Sequence, residues 1–216
     1  MTPEERQDVV DRYAERLRRL GPVVQALGWR DNRQQDLRFE VITDGLRVTG
    51  GSRILDIGCG FGDYHRYLSD RGLATTYVGC DLSPEILHIA RSRHPGITFE
   101  QRDVLECPYP DQSFDYVCMS GLFNRRITDN EGFLDRMLAA SYRICARGVA
   151  VNMTTDQVDY QDPELYYFNP ERVLRRCRAL SRHVALRHDY PLYEFTMFVF
   201  RDGNHSLAAG ENTRSS

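Results

Sequence analysis

Ile54-Leu55-Asp56-Ile57-Gly58-Cys59-Gly60-Phe61-Gly62-Asp63 decides the reading of this chain. A short apolar run feeds straight into three closely spaced glycines, and a segment of helical pattern follows. Glycines at such a junction let the main chain turn through conformations closed to other residues and let a ligand touch the backbone. The open end of the first strand is where a doubly wound sheet takes nucleotide-like ligands.

The pattern outside the loop supports that setting. Strands are expected at Arg53–Ile57, Thr76–Cys80, Ile97–Gln101, Phe114–Met119, Val149–Met153, His183–Arg187 and Glu194–Arg201. Helices are expected between them at Asp63–Arg71, Pro84–Arg93, Asp129–Cys145 and Pro170–Leu180. Ser83-Pro84 and Asn169-Pro170 each place an N-cap residue before a proline at the first helical position. Strand–helix alternation implies right-handed crossover units and a parallel sheet covered on both faces. The last two strands are joined only by a short turn at Pro191-Leu192. They must form an antiparallel hairpin, because a parallel crossover needs a dozen or more residues. Upstream, Val9, Val10, Tyr13, Leu17 and Leu20 recur at helical steps and stop at Gly21-Pro22, and a second amphipathic stretch runs from Asp36 to Val48. A single α/β domain over 1–202 is expected, with residues 1–50 as a helical cap, 51–202 as a Rossmann-like core and 203–216 as a disordered tail. No repeat recurs at a period of ~20–50 residues.

Composition narrows the function classes. The 216 residues carry 28 basic and 31 acidic side chains, net −3, which argues against a nucleic-acid partner. All the basic residues are arginine, which excludes Schiff-base chemistry and a P-loop lysine. No apolar run approaches the ~18 residues of a membrane span, and the charged N-terminus lacks a signal-peptide core, so a cytoplasmic protein without a membrane partner is expected. Six scattered cysteines show neither C-x-x-C nor zinc spacing and read as buried reduced thiols with no metal site.

The loop's chemistry selects the ligand. Its spacing is G-x-G-x-G, one residue short of the dinucleotide fingerprint G-x-G-x-x-G. Asp56 precedes it and Asp63 follows. Two carboxylates repel a diphosphate and attract a cation, which fits the sulfonium and ammonium of S-adenosylmethionine. Val78-Gly79-Cys80-Asp81-Leu82 ends in an acid about 20 residues later, placed to accept ribose hydroxyls. Gln101-Arg102-Asp103-Val104 puts another acid where an adenine amino group would lie, and Phe114-Asp115-Tyr116-Val117-Cys118-Met119-Ser120-Gly121 completes the set.

With LDIGCGFG, VGCDLSPEIL, RDV and FDYVCMSG in order and register, the sequence resembles the class I S-adenosylmethionine-dependent methyltransferases from about Arg53 to Arg201. The resemblance implies a seven-stranded sheet of order 3-2-1-4-5-7-6 with strand 7 antiparallel. It implies that Asp56, Gly58, Cys59 (through its backbone) and Gly60 hold the methionine end. Asp81 and Leu82 would take the ribose, Asp103 and Val104 would flank the adenine, and Ser120 would lie beneath the sulfonium. The asparagine-proline-proline-aromatic motif of amino- and glutamine-methylating members is missing: Met119-Ser120-Gly121-Leu122-Phe123-Asn124 stands there. The double glutamate of arginine methyltransferases and the Pro-Cys of pyrimidine-C5 methylation are absent too. The small-molecule branch is what remains, with O- or N-methylation in secondary metabolism or sugar modification as the expected activity.

For the acceptor, Tyr13, Phe123, Asn124, Tyr166, Tyr167 and Tyr193 are the expected contacts, and His188, beyond the sixth strand, is the candidate base. Two alternatives stay open from the residues alone. One is a protein that binds the sulfonium cofactor for other chemistry or for none; the other is a nicotinamide-dependent oxidoreductase. Oligomeric state has no signature in the sequence.

Overall fold

A strand at the centre of a parallel sheet must be apolar on both faces, and Arg53–Ile57 (β1) is buried at four of its five positions. The computed structural model describes residues 1–203, so the expected disordered tail lies outside the described residues except for Gly203. After β1 come α3 (Asp63–Asp70), β2 (Thr76–Asp81), α4 (Pro84–Arg93), β3 (Thr98–Gln101), β4 (Phe114–Met119), α5 (Asn130–Ile144), β5 (Cys145–Thr154), α6 (Pro170–Leu180), β6 (His183–Arg187) and β7 (Glu194–Phe200). Ahead of β1 lie α1 (Pro3–Leu20), a 3-10 turn at Val24–Leu27 and α2 (Asn32–Leu46).

The sheet order is β3-β2-β1-β4-β5-β7-β6, and β7 runs antiparallel to both neighbours. The hairpin deduced from the short turn is therefore present. The chain winds outward from β1 to β3 and returns to β4, so the topological switch point opens between the C-terminal ends of β1 and β4. The two N-caps close as expected: Ser83 Oγ accepts from Ile86 N–H at 3.3 Å and Asn169 Oδ1 from Arg172 N–H at 3.1 Å.

Alternation along the strands splits the core in two. Leu55, Val117, Val149 and Met197 pack against α5 and α6 through Leu134, Met137, Val173 and Cys177. Ile54, Cys118, Ala150 and Phe198 pack on the opposite face against Phe39, Ile42, Leu68 and Leu87. The residues ahead of β1 therefore divide. Seven residues of α2 are buried in the sheet-covering layer, whereas α1 buries none. α1 and the following turn stand over the open strand ends, where Tyr13, Leu17 and Leu27 pack against Phe61 and Ile86.

Several boundaries differ from the sequence reading. α2 begins four residues earlier than expected because Asp31 caps it, accepting from Gln34 N–H at 2.8 Å. β5 extends at both ends, since Gly148 through Thr154 all find partners on β7. Five of the six cysteines are buried as expected, and Cys107 is exposed.

Gly45, inside α2, generates a prediction. A Cβ there would fall within the ring of Phe198. Gly→Ala inside a helix ordinarily stabilises by about 1 kcal/mol, but overpacking a core costs about 1–3 kcal/mol. With rigid ring carbons as the obstacle the second effect wins. Gly45→Ala should lower the urea-unfolding free energy by up to about 2 kcal/mol, the balance of those two effects; a stabilised variant would show that Phe198 yields freely.

Candidate cofactor and acceptor site

The loop after β1 is built by glycines in the left-handed region. Gly58, Gly60 and Gly62 have φ of 75°, 55° and 79°. A Cβ on Gly60 would sit 2.8 Å from Leu27, so the turn over the site needs a glycine below it. The N–H groups of Gly58 and Cys59 both donate to the Cys80 carbonyl, at 2.8 and 3.0 Å, which pins the loop to the end of β2. The Cys59 side chain turns inward against Gly79, and burial raises its thiol well above the ordinary value. Chemistry at that sulfur is thereby suppressed.

Two carboxylates face the opening. Asp56 is 4% exposed and accepts from Tyr77 Oη at 2.6 Å. Burial pushes its carboxyl up to about 7, against the opposing hydrogen bond from Tyr77; Asp81 and Asp63 add to the rise. Asp81 accepts from Gly60 N–H at 3.2 Å and from Ser83 N–H at 3.0 Å, one on each oxygen. An ionised carboxylate offers about four lone-pair sites, so two remain for hydroxyl donors. Burial raises the Asp81 carboxyl, while those backbone donors lower it.

Both carboxylates line a cavity of about 1110 Å³ over the C-terminal ends of β1, β2, β4 and β5. Every expected cofactor residue borders it: Asp56, Gly58, Cys59, Gly60, Asp81, Leu82, Asp103, Val104 and Ser120. Asp103 differs from expectation in one respect. Its Oδ2 is engaged by Arg6 of α1 at 2.8 Å and its Oδ1 by Leu105 N–H at 2.9 Å, so α1 is latched to the turn beyond β3. Ser120 Oγ and Asn124 Oδ1 are buried without a hydrogen-bond partner among the described residues. Buried polar atoms are rarely left so, and these two mark places for a ligand's polar groups. The residues thus suit S-adenosylmethionine: acids for its cationic groups, a carboxylate for its ribose and open glycine backbone for its methionine end.

Of the expected acceptor contacts, Tyr13, Phe123, Asn124, Tyr167 and Tyr193 line the cavity. Two expectations are corrected. Tyr166 turns away from the cavity: its Oη donates to Glu131 at 2.9 Å and its ring packs on Phe168. His188 is exposed, stacks edgewise on Phe195 with ring centroids 6.0 Å apart, and does not border the cavity. β6 is the edge strand, so its end shares the correct side of the sheet but stands too far out laterally.

Sequence reasoning missed a buried polar cluster in the wall. Arg38 of α2 donates from Nε and Nη2 to both oxygens of Glu194, at 2.7 and 2.6 Å. Asn152 donates to Glu194 Oε2 at 2.9 Å and accepts from Gly121 N–H at 2.8 Å. The Arg38 guanidinium lies 4.2 Å from the centroid of the Trp29 ring, and Trp29 covers Gly121. The available signal was Arg38 itself, a charge on the apolar α2 face shared by Gln35, Phe39 and Ile42.

The raised Asp56 carboxyl makes the protein's stability pH-dependent. Between the unfolded value near 3.8 and about 7, the folded state holds a proton that the unfolded state releases. Stability from this group therefore falls as pH rises through that window. Asp56→Asn removes the group while keeping an acceptor for Tyr77. The loss of urea-melt midpoint between pH 5 and pH 8 should be smaller in the variant than in the native protein, and identical pH profiles would show that Asp56 ionises freely.

The comparisons agree with this geometry. Residues 54–148 match a family model described as a methyltransferase domain. A Mycobacterium tuberculosis protein named "Putative methyltransferase Rv1506c" is 38% identical over 157 residues, covering 68% of this chain and 91% of that protein. A fatty-acid O-methyltransferase of Mycolicibacterium smegmatis is 39% identical over 69 residues, 31% of this chain and 25% of that enzyme. Among solved structures, magnesium protoporphyrin IX methyltransferase from Synechocystis PCC 6803 with bound S-adenosylmethionine superposes with a TM-score of 0.59. It is 13% identical, with 78% of this chain and 80% of that one covered, and shows the fold alone. The nicotinamide alternative falls. On its sheet order, its glycine loop and its relatives, the chain belongs to the class I S-adenosylmethionine-dependent methyltransferases.

Proposed function

We propose that this enzyme methylates a small molecule enclosed within the cavity, at an oxygen or nitrogen atom. The observation that carries this reading is the size and closure of the space. A volume of about 1110 Å³ exceeds the ~300–1,000 Å³ of single-ligand pockets, so it suits a cofactor and an acceptor together. Across its mouth, Arg12 of α1 pairs at 2.7 Å with Glu164 of the segment between β5 and α6. A strap of that kind suits an enclosed acceptor better than a polymer. The name of the M. smegmatis relative, an enzyme of a small lipid acid, points the same way over the portion shared.

When bound, S-adenosylmethionine supplies a methyl carbon already activated by its sulfonium. In this reading Asp56, Gly58, the Cys59 backbone and Gly60 bind its methionine end, and Asp81 with Leu82 binds the ribose. Asp103 and Val104 bound the adenine, and Ser120 lies beneath the sulfur. Asn152 orients the floor by fixing Gly121 N–H, and Trp29 excludes water above it. Tyr13, Phe123, Asn124, Tyr167 and Tyr193 surround the acceptor. His188 takes no part. Catalysis then consists of holding acceptor and methyl in line at about 3–3.5 Å, which supplies several kcal/mol without a fixed base.

Two measurements test this. Asp81→Ala should weaken S-adenosylhomocysteine binding in calorimetry by about 1.5–3 kcal/mol, the scale of hydrogen bonds to a charged group; undiminished affinity in a folded variant removes Asp81 from the site. Incubation with methyl-labelled S-adenosylmethionine and a fractionated extract of the source organism should label compounds below the size of a protein or nucleic acid. Label confined to polymers overturns the enclosed-acceptor reading.

A further inference from the structure

Six arginines and six acids line the cavity, but they are not evenly shared. The acids offered to the cofactor, Asp56, Asp81 and Asp103, come from the ends of β1 to β3 or just beyond. On the other side, Arg38 is held by both oxygens of Glu194, and Arg12 is held by Glu164. Arg102 pairs with Glu100 at 2.9 Å. Arg30 is exposed at the rim and Asp159 likewise.

That leaves Arg16 and Arg125. Arg16 reaches down from α1, gives Nη2 to the Gln25 carbonyl at 2.8 Å, and keeps a buried Nε with no partner among the described residues. Arg125 follows Asn124 beyond the end of β4. Its backbone is bridged to Leu165, it is half-buried, and its guanidinium enters no ion pair among the described residues. Both flank the same two groups as Arg12. Glu164 is held below the usual carboxylate range by Arg12 foremost, with Arg125 and Arg16 adding to it. The phenol of Tyr13, which burial raises, feels the same three guanidinium groups in the opposite sense. One carboxylate thus answers three cations.

We infer that the acceptor carries an anionic group, a carboxylate or a phosphate, that docks on Arg16 and Arg125. The inference rests on the reading that a small acceptor shares the cavity with the cofactor. A buried guanidinium nitrogen left without a partner, as Arg16 Nε is among the described residues, is costly, and the planar fork of the group matches carboxylate and phosphate oxygens two at a time. The unpartnered Nε of Arg16 is a donor waiting for such an oxygen. The cavity is accordingly polarised, with surplus acid toward the cationic cofactor and surplus base toward the acceptor. A negatively charged acceptor is drawn to the correct half and kept from the other.

The test uses the full chain saturated with S-adenosylhomocysteine and titrated by calorimetry with octanoate, octyl phosphate and octanol. At least one anion should bind roughly tenfold or more tighter than the alcohol, and which anion prefers the site separates a carboxylate from a phosphate acceptor. Arg125→Gln and Arg16→Gln should each abolish most of that preference, and Arg125→Lys should retain part of it, while affinity for S-adenosylhomocysteine stays within about twofold in all three. Equal binding of octanol and the anions, no binding of either anion, or a preference that survives both Gln substitutions overturns the inference. So does a loss of S-adenosylhomocysteine affinity in the Gln variants, which would give these arginines to the cofactor's own carboxylate. A native protein that fails to bind S-adenosylhomocysteine at the outset is a different failure, that of the underlying reading, and is seen before any anion is added.

Discussion

The ion pair between Arg38 and Glu194 is the joint on which the site's geometry depends. Both side chains are under 9% exposed, and the contact is bidentate. A buried pair of this kind adds little net stability, because desolvation offsets its attraction, yet losing either partner strands a charge at a cost of about 3–5 kcal/mol. Its value lies in what it fixes. It ties α2 to the start of β7, and through Asn152 it reaches β5 and the Gly121 N–H just beyond β4. Trp29 stacks on the same guanidinium and closes over Gly121. Four segments distant in sequence are thereby set in one register around the space above the switch point.

A second constraint acts at the strand ends. Parallel strands all deliver their carboxyl ends to one edge of the sheet, so side chains at or just past the ends of β1, β2, β3 and β4 converge whatever their identity. The chain places acids at the first three and small residues, Ser120 and Gly121, at the fourth. The glycines then bring the backbone down to meet them: Gly60 N–H on Asp81, and Gly58 and Cys59 N–H on the Cys80 carbonyl. The loop and the second strand end therefore form one hydrogen-bonded unit, which no single motif reveals.

Much of this was legible because the relevant signals are local. β1, β4, β6, α4 and α6 have the boundaries expected from periodicity and capping, and the hairpin followed from loop length. The cofactor residues sit at strand ends, where sequence position fixes spatial position, and all of them border the cavity. What escaped was lateral or pairwise. His188 lies at the correct end of its strand, but the rule says nothing of distance along the sheet, and β6 is the outermost strand. Tyr166 and Tyr167 are adjacent and point apart, one to Glu131 and one to the cavity, and an irregular segment offers no period to choose between them. Arg38 and Glu194 are 156 positions apart, so only the folded chain joins them.

The carboxyl of Asp56 shows how such a site meets two opposing demands. A permanent buried anion would destabilise the fold whenever the cavity lacked a cation. A permanently neutral group would give a cation nothing to bind. Burial against Tyr77 places this carboxyl near 7, between those limits. On the proposed assignment an approaching ammonium would shift it toward its ionised form, since a nearby positive charge favours that form. Loss of the sulfonium's charge on methyl transfer would take with it part of the attraction that Asp56 and Asp81 would exert. On the same assignment, acids that attract the charged cofactor would hold its thioether product, which keeps its ammonium but not its sulfonium, less firmly.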